Sequence, residues 1–145
     1  MERLRSEGVT MDQFNLMAMA NGADVTMRRP TDTVESLETF RRSLVEASEL
    51  RANTFVVASF CRASLGQTGG GHFSPVGGFH AASDSVLVLD VARFKYPPYW
   101  VPVPELYNAC AAPDPVTGRA RGWFELTAAT HLRHARASGE ARAVA

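Results

Sequence analysis

Residues 71–91 read GHFSPVGGFHAASDSVLVLDV, a pattern that predicts a β-hairpin. One strand is expected from His72 to His80, and a second, rich in β-branched and aliphatic residues, from Ser85 to Val91. The short link from Ala81 to Asp84 suits a tight reversal between the two strands. An antiparallel sheet is therefore the expected centre of the fold.

Two polar residues of this hairpin, His72 and Asp90, are the first candidates for chemistry. If the turn centres near Ala82, residue 74 opposes residue 90 and residue 72 opposes residue 92, so the pair shares one face as diagonal neighbours. A shift of one residue in register would separate the pair onto opposite faces. A carboxylate bonded to an imidazole fixes the tautomer and lets the other ring nitrogen accept a proton from a nucleophile. The alternative is an ordinary structural role for a strand-end histidine and a turn aspartate.

A general base needs a nucleophile, and the sequence contains two cysteines. Cys61 lies eleven residues before His72, and its position on the preceding strand is typical of a buried core thiol, with only Arg62 beside it to lower its pKa. Cys110 lies in an alanine-rich stretch and is a weaker candidate. Neither cysteine belongs to a CxxC pair, so a disulfide scaffold is not indicated.

Two further motifs have ordinary explanations. The glycine-rich run at residues 66–71 is not followed by Gly-Lys-Ser or Gly-Lys-Thr and leads into a strand, so it does not indicate a phosphate loop. His131 and His134 have a spacing that could share a metal, but no third ligand lies nearby, and a solvated helix face is the preferred interpretation. We therefore expect no tightly bound metal or other cofactor.

Helices are expected on the N-terminal side of the hairpin. Thr10 and Gln13 have capping-box spacing before a first helix that stops at Asn21-Gly22, and a second helix is expected from Val34 to Leu50. The prolines of YPPYWVP at residues 96–102 exclude a central strand there. Helices followed by an antiparallel sheet indicate an α+β fold. The other expected elements are strands at Thr54–Phe60 and Gly122–Leu126, a short helix at 104–110, a turn at Asp114–Gly118, and an Ala/Arg-rich tail at 128–145 after a single domain at 1–127.

The composition is that of a one-domain globular protein. The 145 residues are 46% hydrophobic and 21% charged. Fifteen basic and fifteen acidic side chains give a net charge of zero, which supplies no bulk attraction to nucleic acid or to an anionic membrane. The charged start MERLRSEG does not resemble a signal peptide, and no apolar run is long enough to span a membrane. We expect a cytoplasmic protein with no nucleic-acid or membrane partner.

Two segments resemble the phytochelatin synthase family. They are QTGGGHFSPVGGFHA at residues 67–81 and LDVARFKYPPYWVP at residues 89–102, and the resemblance extends over about residues 8 to 127. The family belongs to a papain-like clan of cysteine peptidases and transpeptidases. Its members remove glycine from glutathione, hold γ-Glu-Cys as a thioester, and pass it to a second glutathione or to water. The resemblance implies a papain-like half-domain whose antiparallel sheet carries the histidine and aspartate of a Cys-His-Asp triad.

The resemblance also implies roles for individual side chains. His72 would be the general base and acid, and Asp90 its orienting partner. Asp114 and Arg121 would hold the charged groups of the γ-glutamyl head, since a zwitterion needs one anionic and one cationic partner. The other implied substrate-binding residues are Arg62 and Gln67 near the histidine, Gly71 and Phe73 at the acyl pocket, and Arg93, Lys95 and Tyr96 in the second-substrate region.

One feature of the family is not found in the sequence. The family's nucleophile lies on an early helix in a Tyr-Cys-Gly-like motif, whereas this sequence has no cysteine before Cys61. We therefore expect a truncated or split enzyme that corresponds to the later part of a catalytic domain and exposes apolar surface. It should be inactive alone, because loss of a triad nucleophile costs about 10⁶ in kcat.

Two other hypotheses stay open. The chain could be a glutathione- or γ-glutamyl-peptide-binding protein without chemistry, or a subunit that pairs with a cysteine-bearing homologue or with a second copy of itself. In each case the expected ligands are glutathione and γ-Glu-Cys peptides. Heavy metals such as cadmium and zinc are expected as thiolate complexes of glutathione rather than as ions bound by the protein.

Overall fold

A computed structural model describes residues 8–49 and 53–128 of the chain. The strands that it describes form one sheet in the order β1-β6-β2-β3-β4-β5, with every neighbouring pair antiparallel. The fold is α+β, as the sequence predicts, and is consistent with the papain-like half-domain that the resemblance implies. The elements of the described residues are the helices α1 (Met11–Ala20), α2 (Val34–Ala47) and α3 (Val103–Ala111), and the strands β1 (Ala23–Arg28), β2 (Thr54–Cys61), β3 (Gly71–His80), β4 (Ser85–Val88), β5 (Tyr99–Pro102) and β6 (Gly122–Ala128).

Two local predictions are confirmed. At the start of α1, Thr10 Oγ1 accepts a hydrogen bond from the Gln13 N–H at 3.3 Å, and Gln13 Oε1 accepts one from the Thr10 N–H at 2.9 Å. This is the reciprocal capping box that the sequence predicts. The proline-containing strand β5 lies at the edge of the sheet, where a missing backbone donor costs no hydrogen bond to a neighbouring strand.

Several element boundaries differ from the sequence prediction. The sequence does not predict β1, which lies between α1 and α2, so the two N-terminal helices do not both precede the sheet. Pairing with β1 also extends β6 to Ala128. The helix predicted to reach Leu50 ends at Ala47, with Ser48 as its C-cap, and Leu50 lies outside the described residues. β4 ends at Val88 rather than Val91, although the Leu89 N–H still donates to the Pro75 carbonyl of β3 at 2.9 Å.

One face of the sheet carries the hydrophobic core. α2 and α3 pack against it, and the rings of Phe40, Tyr107 and Trp123 meet there with centroids 4.8, 5.8 and 6.2 Å apart. Phe60 of β2 is fully buried in the same core. His72 pairs in register with Phe60, so its side chain faces this side of the sheet at the start of β3.

Helix α1 lies on the opposite face of the sheet. Phe14 of α1 stacks on Phe73 of β3 at a centroid distance of 5.1 Å and contacts Phe124 of β6 at 4.6 Å. Successive side chains of a strand alternate between faces, so Cys61 lies on this face and Phe60 on the other. The sheet therefore separates Cys61 from His72.

The hairpin of β3 and β4 changes register at Gly77, where a β-bulge interrupts the pairing. Beyond the bulge Val76 opposes Val88, which is the register that the sequence predicts, and the pairing of β4 ends there. Next to the turn the register differs from the prediction by one residue, since Gly78 opposes Leu87 and His80 opposes Ser85. The bulge therefore restores the predicted register at the end of the hairpin that leads to Asp90.

Candidate active site

His72 and Asp90 meet where β3 begins. His72 Nε2 lies 3.1 Å from Asp90 Oδ1, within hydrogen-bond distance. The His72 side chain is 19% exposed, whereas the Asp90 side chain is fully buried. With Nε2 bonded to the carboxylate, Nδ1 is the ring nitrogen left for proton exchange. The adjacency that the hairpin argument predicts is present, and its geometry suits acid–base chemistry.

Asp90 Oδ1 lies within hydrogen-bond distance of three nitrogen atoms. Besides His72, the Arg62 Nη2 group and the Ala92 N–H donate to this oxygen, each at 2.8 Å. Arg62 is itself 5% exposed, and its Nη1 donates to Gln67 Oε1 at 2.7 Å. The two residues that the resemblance places near the histidine, Arg62 and Gln67, are thus linked to it through the carboxylate.

These contacts shift the pKa values of both members of the pair. Burial works against the ionised carboxylate, but hydrogen bonds from Arg62 and Ala92 hold the pKa of Asp90 below its ordinary value of 3.8. Burial and the positive charge of Arg62 lower the pKa of His72 below its ordinary value of 6.5, although Asp90 acts in the opposite direction. A neutral imidazole and an ionised carboxylate therefore coexist at neutral pH, the state in which Nδ1 can accept a proton.

The segment that the resemblance assigns to a second substrate packs against the loop before β3. Tyr96 Oη accepts a hydrogen bond from the Thr68 N–H at 2.8 Å, and the Arg62 guanidinium lies 4.6 Å from the centre of the Tyr96 ring. Lys95 Nζ donates to the Thr68 carbonyl at 3.3 Å. Lys95 and Arg93 are both exposed, whereas Tyr96 is half-buried. The tyrosine is held in place, and the two cations face solvent.

A cavity of about 330 Å³ opens beside His72. Gly71 and Phe73, which flank His72 on β3, line the cavity together with Asp114 and Arg121. Arg121 Nη2 lies 3.9 Å from Asp114 Oδ1, and the Arg121 side chain is 7% exposed. The structure thus places one cation and one carboxylate in the wall of a cavity that His72 also borders, which suits a small zwitterionic ligand.

Gly71 allows the Arg121 guanidinium to lie directly against the strand. A Cβ atom at position 71 would be 2.5 Å from Arg121 Nη2 and 2.8 Å from Nε, closer than any side chain permits. Arg121 Nη1 donates to the carbonyls of Ala112 and Pro113 at 3.3 and 2.5 Å. These bonds fix the arginine as a buried cation in the cavity wall.

Sequence reasoning missed part of the cavity wall. Gly8, Val9 and Met11 line the cavity at and just before the start of α1, and the remaining lining residues are Ser59, Val91, Pro115 and Val116. Ser59 carries a signal that could have identified it, since it is a polar residue inside the apolar strand TFVVASF. The residues at the start of α1 carry no such signal, because only the tertiary fold brings them to the cavity.

The two cysteines lie away from the acid–base pair. Cys110 of α3 is fully buried, and burial raises the pKa of its thiol far above the ordinary value of 9.0. Cys61 is half-buried and opposes Gly71 on β3, so it faces the side of the sheet opposite to His72. Burial opposes ionisation of Cys61, but hydrogen bonds from Ser64 lower its pKa below 9.0.

From the sequence, neither a tightly bound metal nor a membrane-spanning segment is expected. Across residues 8–49 and 53–128, no group of three or more His, Cys, Asp and Glu side chains could hold a metal ion. His131 and His134 lie outside the described residues, as does the predicted tail apart from Ala128. Of the helices that the structure describes, none combines the length and apolar character needed to cross a membrane.

The geometry of the site is compatible with acid–base chemistry, since a buried aspartate is bonded to a histidine that borders a charged cavity. The sequence profile described as "Phytochelatin synthase" matches residues 1–123, which is most of the chain. The chain belongs to the phytochelatin synthase family.

Sequence identities to curated proteins indicate the same family. The chain is 41% identical over 123 residues to "Glutathione gamma-glutamylcysteinyltransferase" of Schizosaccharomyces pombe, a match that covers 85% of this chain and 29% of the relative. It is 40% identical over 127 residues to "Glutathione gamma-glutamylcysteinyltransferase 3" of Lotus japonicus, with 88% and 26% covered. It is 39% identical over 127 residues to "Glutathione gamma-glutamylcysteinyltransferase 2" of Arabidopsis thaliana, with 88% and 27% covered. The chain therefore spans about a quarter of the length of these relatives.

Proposed function

We propose that this chain supplies the His–Asp part of an acyltransferase active site. In the proposed reaction γ-Glu-Cys is transferred from glutathione to a second glutathione or a phytochelatin, or to water. The observation that carries the proposal is the pair of His72 and Asp90, 3.1 Å apart, at a cavity that also holds Arg121 and Asp114. The names of the relatives support the choice of substrate, since each is called a glutathione gamma-glutamylcysteinyltransferase.

The nucleophilic thiol in this proposal comes from polypeptide outside residues 1–145. Burial of Cys110 and the position of Cys61 on the other face of the sheet argue against either as the attacking group. A homodimer would add only second copies of the same two thiols. A different, cysteine-bearing segment or homologous chain is therefore the partner that we favour.

The proposed reaction uses His72 first as a base and then as an acid. A thiol placed at His72 Nδ1 gives its proton to the imidazole, and its sulfur attacks the Cys–Gly carbonyl of glutathione. The imidazolium, held by Asp90, then protonates the nitrogen of the leaving glycine, so the peptide bond breaks and a thioester remains. An amine of the second glutathione, or water, next gives a proton to His72 and attacks the thioester, which releases the thiol.

The cavity wall supplies the groups for the γ-glutamyl head. Arg121 would pair with the α-carboxylate and Asp114 with the α-ammonium, a charge-assisted recognition that neither partner could provide alone.

The exposed cations Arg93 and Lys95 would attract the carboxylates of the second substrate. Cadmium or zinc would enter as thiolate complexes of glutathione, hence as part of the substrate. We place this reaction in the cytoplasm, where thiols stay reduced.

The test is a complementation assay. The purified chain is incubated with glutathione and cadmium, with and without a polypeptide that carries the family's cysteine helix, and thiol products are separated by chromatography. We expect no turnover alone and turnover on complementation, with a loss of about 10²- to 10⁴-fold in His72→Gln. The control His80→Gln removes an exposed histidine and should keep full turnover. Turnover by the chain alone that Cys61→Ser abolishes would overturn the proposal.

A second candidate is a binding protein without chemistry, favoured by the buried cation Arg121 in the cavity wall. Calorimetric titration with glutathione tests binding separately from turnover. Gly71→Ala should weaken binding by about 10- to 100-fold, because it displaces the Arg121 guanidinium. Gly70→Ala is the matched control, since a Cβ there meets nothing within 4 Å. Binding without turnover on complementation would favour this candidate over the transferase.

A further inference from the structure

We infer that Arg62 is a positioning residue that shares Asp90 Oδ1 with His72 and thereby sets how strongly the carboxylate supports a protonated imidazole. This inference rests on the proposed function, because it takes His72 as the general base. It gives Arg62 a role other than the substrate contact that the resemblance implies.

The surroundings of Arg62 hold its guanidinium in one place. Nη2 donates to Asp90 Oδ1 at 2.8 Å, Nη1 donates to Gln67 Oε1 at 2.7 Å, and the Tyr96 ring lies 4.6 Å away. The side chain is 6% exposed, which leaves little surface for a substrate to reach. The backbone is fixed as well, since the Arg62 carbonyl accepts the N–H groups of Leu65 and Gln67, each at 3.0 Å.

The sharing of one oxygen is the central observation. Asp90 Oδ1 accepts from both Arg62 and His72, while the buried Oδ2 has no hydrogen-bond partner in the part of the chain that the structure describes. Arg62 carries a permanent charge, so the charge of Asp90 is already compensated before His72 gains a proton. A protonated His72 would add a second positive charge at the same oxygen, which opposes protonation.

The charged side chains near His72 come from the ends of two neighbouring strands and from the wall of the cavity. Asp90 follows β4 and Arg62 follows β2, and both lie on the face of the sheet where His72 points. Arg121 and Asp114 share the cavity with His72 as an opposite-charge pair. The effect of the Arg62 charge should therefore be visible in the titration of His72 itself.

The experiment is an NMR titration of the His72 imidazole in the free chain. The His72 signal is identified by its loss in His72→Gln. We expect the wild-type midpoint below 6.5, in line with the lowered pKa of His72. Arg62→Gln should shift the midpoint upward, while Arg62→Lys should stay close to the wild type because it keeps the charge. The control Arg42→Gln removes an exposed cation of α2 and should cause no shift.

The outcomes separate a positioning role from a merely structural one. An unchanged or lower midpoint in a folded Arg62→Gln variant overturns the inference, as does an equal upward shift in Arg62→Lys. If Arg62→Gln does not fold, a wild-type midpoint above 6.5 still contradicts it. The titration uses no glutathione and no thiol donor, so a failed complementation assay would reject the proposed function and leave this result standing.

Discussion

His72 and Asp90 make the folded protein sensitive to acid. Burial, and then the charge of Arg62, lowers the pKa of His72 below 6.5, the ordinary value of the unfolded chain. As the pH falls, the unfolded chain therefore binds a proton before the folded protein does, and stability is lost. Protonation of Asp90 also lowers the stability of the fold, but at a more acidic pH, because the pKa of Asp90 lies below 3.8. The two residues thus contribute in separate pH windows.

The residue-scale prediction concerns the pH range in which His72 titrates. In the wild type the contribution of His72 to the free energy of unfolding should be fully present well above pH 6.5 and fall as the pH drops through 6.5 toward the lowered pKa of His72. His72→Gln should remove the part of this slope that comes from His72. Urea unfolding at a series of pH values, followed by circular dichroism, measures it. An equally steep slope in His72→Gln would contradict the lowered pKa of His72.

The sequence predicts the acid–base pair but not its full surroundings. His72 and Asp90 belong to one hairpin, and strand alternation brings them to one face once the β-bulge at Gly77, which the sequence does not predict, has shifted the register by one residue. Arg62 reaches Asp90 from a different strand, 28 residues away along the chain. No local pattern encodes that approach, so its bond to the carboxylate could be found only in the tertiary structure.

At the scale of elements, the pairing of β1 with β6 depends on a glycine. A Cβ atom at Gly122 would lie 2.0 Å from the Arg28 carbonyl oxygen, a backbone atom that cannot move without separating the two strands. Arg28 opposes Trp123 in this pair. The close approach explains why β6 begins with the smallest residue.

The element-scale prediction follows from that contact. Gly122→Ala should lower the free energy of unfolding by about 3 kcal/mol, at the upper end of the cost of overpacking, because no side chain can move aside. Gly70→Ala, where a Cβ meets nothing within 4 Å, should change it by less than about 0.5 kcal/mol. Urea midpoints of the two variants provide the comparison. Equal midpoints would show that β1 can move away from β6 at little cost.

The missed strand and the predicted strands differ in their local patterns. The strand β4 and TFVVASF of β2 are rich in β-branched, aliphatic and aromatic residues, so propensity and pattern agree for them. The segment ADVTMR of β1 is short and carries Asp24 and Arg28, which resembles a polar connection. Its strand character comes from pairing with β6 along its whole length. Such pairing is a tertiary effect that single-sequence patterns do not contain.

At the scale of the whole molecule, the two faces of the sheet are covered unequally. α2 and α3 cover the core face, whereas α1 is the helix of the described residues that packs on the other. On that second face Phe55 of β2 is 64% exposed, and Leu16 and Met19 of α1 are 67% and 55% exposed. Exposed apolar side chains of this size promote association, which agrees with the expectation of exposed apolar surface.

The whole-molecule prediction tests whether Phe55 limits solubility without contributing to stability. Phe55→Thr keeps a residue favoured in strands and should change the free energy of unfolding by less than about 0.5 kcal/mol. It should also raise the concentration at which light scattering detects association. Phe124→Thr, at a fully buried ring on the same face, should instead cost about 3 kcal/mol or more. A large loss of stability in Phe55→Thr would mean that the Phe55 ring packs against other side chains in the isolated chain. The unequal coverage of the sheet would then not explain association of the protein in solution.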